Sequence, residues 1–254
     1  MEKGMRYLTG KNKRREVALQ GALLDRMAAR FQMSVARQIQ NAMRAGLKQF
    51  EQDGSTVGID SVVDPYEIRM TATIGTEARN IMQTFGERIL GNEKRLRKDI
   101  GDDPFEQAMQ NYIRIYGLQH AELITRTTKE QLKQLIQDGL NEGIGTEQIA
   151  RNIRKKIPSM AQFRAATIAR TETHTAANFG SQAAAEATGL VLMKEWAAAE
   201  DDRTRPDHSD ADGQVVPMDG SFTVGGVQLQ FPGDPSGPPE QIINCRCVQL
   251  FIET

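Results

Sequence analysis

Leu24, Met27, Phe31, Val35, Ile39, Met43, Leu47 and Phe50 recur at a mean interval of about 3.7 residues. That spacing calls for one amphipathic helix over residues 13–50. At about 1.5 Å of rise per residue the helix would be roughly 55 Å long, a length that suits a strut or an arm better than the wall of a compact pocket. The period slightly exceeds a natural turn, so a partner helix would wrap with a slight right-handed bias.

Residues 54–60 interrupt the pattern. Asp64-Pro65 with Glu67 then opens a second helix, expected over 64–98, with a side-chain cap, a proline where no N–H is needed and an acid in the first turn. Ile74, Ala78, Ile81, Phe85 and Ile89 give it a buried face. Asp103-Pro104 repeats the start signal ahead of Phe105, Met109, Tyr112, Ile113 and Tyr116. Thr127 or Thr128 reads as the cap of a helix carrying Leu132, Leu135, Ile136 and Leu140. The turn Gly143-Ile144-Gly145-Thr146 leads to another helix with Ile149, Ile153 and Ile157, which Pro158 should end. An alanine-rich helix should follow over 159–188, up to Gly189 as its C′ residue.

After Gly189 the composition shifts to Gly, Pro, Asp and Val, and short strands are expected at 191–196, 214–216, 222–224, 227–231 and 247–252. Val224-Gly225-Gly226-Val227 reads as a tight hairpin, and the Pro- and Gly-rich stretch 232–239 as an extended surface loop. The expected class is α+β: a mainly helical N-terminal region with long helices, then a small mixed domain with short antiparallel strands and Gly/Pro-rich loops. The division follows: a helical region over 1–126, read as a docking arm, and a second domain over 127–254, with helices over 128–188 and a β-containing part over 190–254.

With 32 basic against 33 acidic residues, the chain of 254 has no overall bias toward nucleic acid or anionic lipid. Charge is nevertheless segregated. Lys11, Lys13, Arg14 and Arg15 cluster near the start and Arg151, Arg154, Lys155 and Lys156 mid-chain. A solvated face is the simplest reading of each. The second cluster falls on the second helix of a helix-turn-helix-like pair, which makes Arg151, Arg154 and Lys155 the candidate nucleic-acid contacts. The basic start is not followed by the apolar stretch of a secretory signal, and no segment approaches the length needed to span a bilayer. Synthesis and retention in a cytosol, reduced thiols and no membrane partner are the expectations.

The last third gathers both cysteines, the single tryptophan and two of the three histidines. An i, i+2 pair on a strand projects to one side, so Cys245 and Cys247 could ligate one ion with His208 as third ligand and His174, Asp202 or water as fourth. Zinc is the ion such a set would take, although nothing in the sequence makes a cofactor obligatory. The alternative makes the cysteines small core residues and His208 a hydrogen-bonded link between loops. Arg170, Glu172, Trp196, Asp202 and Arg205 are expected to brace the region, with Arg170 and Glu172 ion-paired to the turn Asp202-Arg203-Thr204-Arg205 and Trp196 anchoring the core. A metal-dependent hydrolase or nuclease would instead use Glu172 or Asp202 as acid or base beside a metal-bound water. No nucleophile, phosphate loop or paired-acid spacing accompanies them, so no catalytic residue is assigned.

From about Thr127 onward the chain resembles the phage Mu F-like family of head morphogenesis, or minor head, proteins. The resemblance rests on Arg170-Thr171-Glu172, Asn178, Lys194-x-Trp196, Arg203-Thr204-Arg205 with His208, Asp212-Gly213, Pro232-Gly233-Asp234 and Asn244-Cys245-Arg246-Cys247. His174 is not part of that signature. What the resemblance implies is a non-enzymatic, low-copy capsid component of a tailed-phage or prophage virion head, associated with the portal vertex during procapsid assembly and DNA packaging. The implied partners are the portal protein, the major capsid or scaffolding protein and the packaged DNA. The competing readings are the hydrolase or nuclease and a DNA-binding module built on the 128–156 helix pair.

Overall fold

The computed structural model describes residues 6–7, 12–91 and 103–253. The fold is mainly helical, with long helices first and short antiparallel strands last, as the sequence patterning predicts. A two-residue strand β1 (Arg6–Tyr7) precedes α1 (Lys13–Asp53), α2 (Ile59–Val63), α3 (Pro65–Leu90) and α4 (Pro104–Tyr112). One π-helical turn (Ile113–Gly117) leads into α5 (Leu118–Asn141) and then α6 (Thr146–Ala187). The remainder is β2 (Leu192–Ala197), α7 (Pro206–Asp210), β3 (Val215–Pro217), β4 (Phe222–Val224), β5 (Val227–Leu229), α8 (Pro239–Ile242) and β6 (Val248–Glu253). The expected continuation of the second helix to residue 98 lies outside the described residues, as does Lys11 of the basic start.

The chain divides into two compact units that each draw on separated segments. One comprises Arg30–Glu77 and Ile113–Ala169. Its core takes the apolar stripe of α1, in which Phe31, Val35, Ile39, Met43, Leu47 and Phe50 are all buried. The stripe therefore serves the protein's own core, and a docking role for α1 cannot use it. Gly46 marks the tightest approach: a Cβ there would meet Leu132 of α5 at 2.6 Å and Ile59 of α2 at 3.1 Å. Lys129 and Lys133 of α5 pair with Asp64 and Asp60 at the ends of α2. Asp64 thus offers its carboxylate to Lys129, where the sequence predicts a helix cap; Asp103 does cap, accepting from the N–H of Phe105 at 3.0 Å.

Two other expectations are corrected in this unit. Thr127 and Thr128 lie inside α5, where their hydroxyls donate back to the carbonyls of Leu123 and Ile124 and accept from the half-buried guanidinium of Arg164, at 2.7 and 2.9 Å. The hydroxyls mimic a cap in sequence but act as a cradle for Arg164. Pro158 does not end a helix; it sits within the 42-residue α6. Ile149, Ile153, Ile157, Ala161 and Ala165 form an unbroken buried row through it. Packing that row outweighs the roughly 3 kcal/mol that an internal proline costs.

The other unit comprises Met1–Ala29, Ala78–Tyr112 and Arg170–Thr254. Its four-stranded antiparallel sheet has the order β1-β6-β2-β3, with Leu192 opposite Glu253 and Ala197 opposite Val248. The hairpin β4-β5 stands beside it, turned by Gly225 and Gly226 at φ of 56° and 79°, the left-handed geometry that a primed turn requires. The second half of α6 packs closely on α3: a Cβ at Gly180 would meet the Met82 backbone at 2.6 Å. The stretch 232–239 is only partly the surface loop its composition suggests. Pro232, Gly233 and Asp234 are buried, because Thr175 and Asn178 of α6 donate to the Gly233 and Pro232 carbonyls, at 2.9 Å each. Lys13, expected on a solvated face, reaches Glu195 at 2.7 Å and Asp212 at 3.2 Å.

Candidate functional site

Extended backbone after α8 carries Cys245 and Cys247 into the core of this second unit, beside Trp196, Phe222, Val224 and Leu229. The short helix α7, opened by Pro206 where no N–H is needed, brings His208 to the same place. All three side chains are buried, and their donor atoms lie within 4.8 Å of one another. Nδ1 of His208 stands 3.4 Å from Cys247 Sγ and 3.6 Å from Cys245 Sγ. Of the two thiols, Cys245 gives up its proton more readily because Cys247 hydrogen-bonds to its sulfur; the same contact, with burial, pushes Cys247 up. Trp196 meets the edges of His208 and Phe222, each with ring centroids 5.5 Å apart.

On its other side the imidazole is tied down. Nε2–H of His208 donates to Gln241 Oε1 at 3.0 Å, and Gln241 Nε2 donates to Asp207 Oδ2 at 3.0 Å. A carboxylate only accepts, so Asp207 fixes the amide's orientation, and the amide fixes the histidine tautomer. The hairpin closes over this pair: a Cβ at Gly225 would lie 2.7 Å from Gln241 Nε2. Neither Gln241 nor Asp207 stands out in the sequence, because nothing there indicates that a histidine five residues from Gly213 will face a glutamine near the cysteines.

The other expected residues separate into those that meet the cysteine segment and those that do not. Arg170 donates to Asn244 Oδ1 at 3.1 Å, and Thr171 Oγ1 accepts the Asn244 N–H at 3.0 Å, holding the turn at φ of 59° that opens the segment. Arg205 donates to the Ile243 carbonyl. Asp202 is 92% exposed and, among the described residues, pairs with its neighbour Arg203 alone. Its expected place is taken by Asp201, which accepts the Arg203 N–H at 3.0 Å and pairs with Arg246. The Asp201 carboxylate turns back on its own loop, while that of Asp202 points to solvent. Glu172 is half-buried on α6. His174 is buried and bonds the Cys247 backbone, not the metal-ligand group, and burial lowers its pKa to about 4. Asn178, a buried hub, joins the Pro232 and Cys247 carbonyls and the Gln249 N–H.

In the first unit Arg151 faces Glu147 and Gln148, Arg154 pairs with Glu51, and Lys155 is exposed.

Residues 130–250 match the family described as phage Mu protein F like protein. That stretch is similar to the Mu F family. The matched stretch contains α6, β2, β3, the cysteine segment and the start of β6. The chain is 32% identical over 160 residues to minor head protein GP7 of Bacillus phage SPP1, covering 59% of this chain and 49% of that protein. It is 26% identical over 142 residues to YqbB of Bacillus subtilis, covering 54% and 46%. It is also 32% identical over 117 residues to the NAD(+)-arginine ADP-ribosyltransferase EFV of Enterococcus faecalis, covering 45% of this chain and 24% of that enzyme. The chain thus spans about half the length of the first two relatives. No solved structure matches it.

Proposed function

We propose that this protein is a structural component of a tailed-phage or prophage head, a minor capsid protein held near the portal vertex while the procapsid assembles and DNA is packaged. The observation that carries the reading is the Mu F-like stretch with its 32% identity to a minor head protein. The geometry supports a part made to be held in place: Arg170, Thr171, Asn178 and Arg205 all fasten the cysteine segment to neighbouring elements. The stretch in common with the ADP-ribosyltransferase covers 24% of that enzyme, and we read it as a shared module, with no catalysis by this chain. Asp202 points to solvent and Glu172 is not in the donor group, which favours assembly over metal-dependent hydrolysis.

Partners on this reading are the portal protein and the major capsid or scaffolding protein, with packaged DNA nearby in the virion. Assembly would take place in the host cytoplasm. No described helix is long and apolar enough to cross a membrane. Docking would use outward faces, since the stripe of α1 is buried. Quantitative mass spectrometry of purified procapsids, with the protein located by labelling in reconstructed particles, tests the proposal. The expected result is a few copies per particle at one vertex. Absence from procapsids, or a copy number matching the shell lattice, would overturn it.

A further inference from the structure

Three soft donors converge in the core, and their arrangement is more specific than packing requires. We propose that His208, Cys245 and Cys247 form a mononuclear zinc site, with His208 Nδ1 as the nitrogen ligand and solvent as the fourth, and with Gln241 and Asp207 as positioning residues. Zinc–sulfur and zinc–nitrogen bonds of about 2.3 and 2.1 Å at a tetrahedral angle put N and S donors about 3.5 Å apart. The two observed separations are 3.4 and 3.6 Å.

The imidazole is prepared for this role by its far side. Asp207 holds the Gln241 amide so that its oxygen faces Nε2–H of His208, which leaves the Nδ1 lone pair directed at both sulfurs. A ligating histidine whose other nitrogen is held by a hydrogen-bonded partner is the usual outer arrangement of a zinc site. Packing alone accounts for this less well, because one lone pair can accept from only one thiol at a time. Beside the donors, a cavity of about 10 Å³ lined by Ala199, Thr204, Arg205 and Asn244 has room for one water-sized ligand.

Charge also fits. Binding releases the two thiol protons, and two thiolates offset the two positive charges of zinc, so a neutral complex enters the core without an unpaired ion. Thiolate and imidazole together select zinc over hard cations that prefer oxygen.

The test uses the full chain, purified under reducing conditions and depleted of metal with a chelator, and Co²⁺ as a spectroscopic probe that zinc then displaces. The expected result is one equivalent of metal per chain, with thiolate-to-cobalt absorption and the visible bands of a tetrahedral site. The absorption should fall by about half in Cys245→Ser or Cys247→Ser. Gln241→Leu should keep the spectrum but weaken affinity about 10- to 100-fold, with Gln241→Glu restoring part of it. Wild-type protein that takes up no stoichiometric metal, and whose two thiols react with a thiol reagent equally fast with and without zinc, would overturn the proposal. So would metal uptake unchanged in His208→Ala or in the cysteine variants.

Discussion

Lys194 has no exposed surface, yet its amine sits among uncharged partners, donating to the Gln230 carbonyl at 2.7 Å above the Phe222 ring. Burial pushes its pKa down to about 8 from the model-peptide value of 10.5. Between those two values the unfolded chain holds a proton that the folded chain has released. Stability should therefore rise with pH across that window, by up to about 1.4 kcal/mol per pH unit. Urea denaturation of the wild type and Lys194→Met at pH 7 and pH 10 checks this, with the wild type gaining on the variant as pH rises. Parallel curves would refute it. Lys13 does not interfere: despite its burial, Glu195 and Asp212 raise its pKa, so it titrates above the window. A lysine two residues before a tryptophan is visible in the sequence, but the uncharged acceptor that receives its amine, Gln230, is distant in the chain. For the same reason the cysteines and His208 were legible as a group while Gln241 and Asp207 were not: chemical type singles out the candidate donors, whereas the residues that hold His208 are ordinary ones made specific by long-range folding.

Elements were legible wherever periodicity alone decides. The α1 stripe fixes its helix to within a few residues, and the Gly225-Gly226 turn fixes its hairpin. The errors arise where a local signal loses to packing. Pro158 is the clearest case, because its cost is spread over a buried row that continues on both sides. Pro158→Ala restores an N–H for the Arg154 carbonyl and should stabilise the protein by about 1–3 kcal/mol, read as a higher midpoint in chemical denaturation. No change or a loss would show that the proline costs little where it stands. Gly180→Ala should act in the opposite sense, since its Cβ would strike the Met82 backbone and force α3 away from α6. A destabilisation of about 1–3 kcal/mol is expected, whereas tolerance would show that the two helices can separate freely.

For the molecule as a whole, near-balanced charge and paired arginines set an expectation about DNA. Arg151 and Arg154 already face Glu147 and Glu51, so neither offers an uncompensated charge to a phosphate. Changing Arg151, Arg154 and Lys155 together should leave duplex affinity and its salt dependence nearly unaltered in a fluorescence titration. A loss of two or three units of salt slope, roughly one per phosphate contact, would instead restore the DNA-binding reading. What composition could not reveal is that compact units form from separated stretches, because the shift at Gly189 records where strands begin and not which helices they rest on.

The placement of β6 between β1 and β2 has a further consequence for how the protein comes into being. Arg6 is paired with Glu253, and β1 and β2 both lie against this late segment, whereas β3 pairs with β2. While a ribosome is still making residues beyond 200, the early part of this unit has no sheet to join and must persist without its partners. Pairings of such long range are slow to form. Completion of β6 is thus the event that joins β1 to β2, and a synthesis that stalls before it leaves the two ends of the sheet without the strand between them.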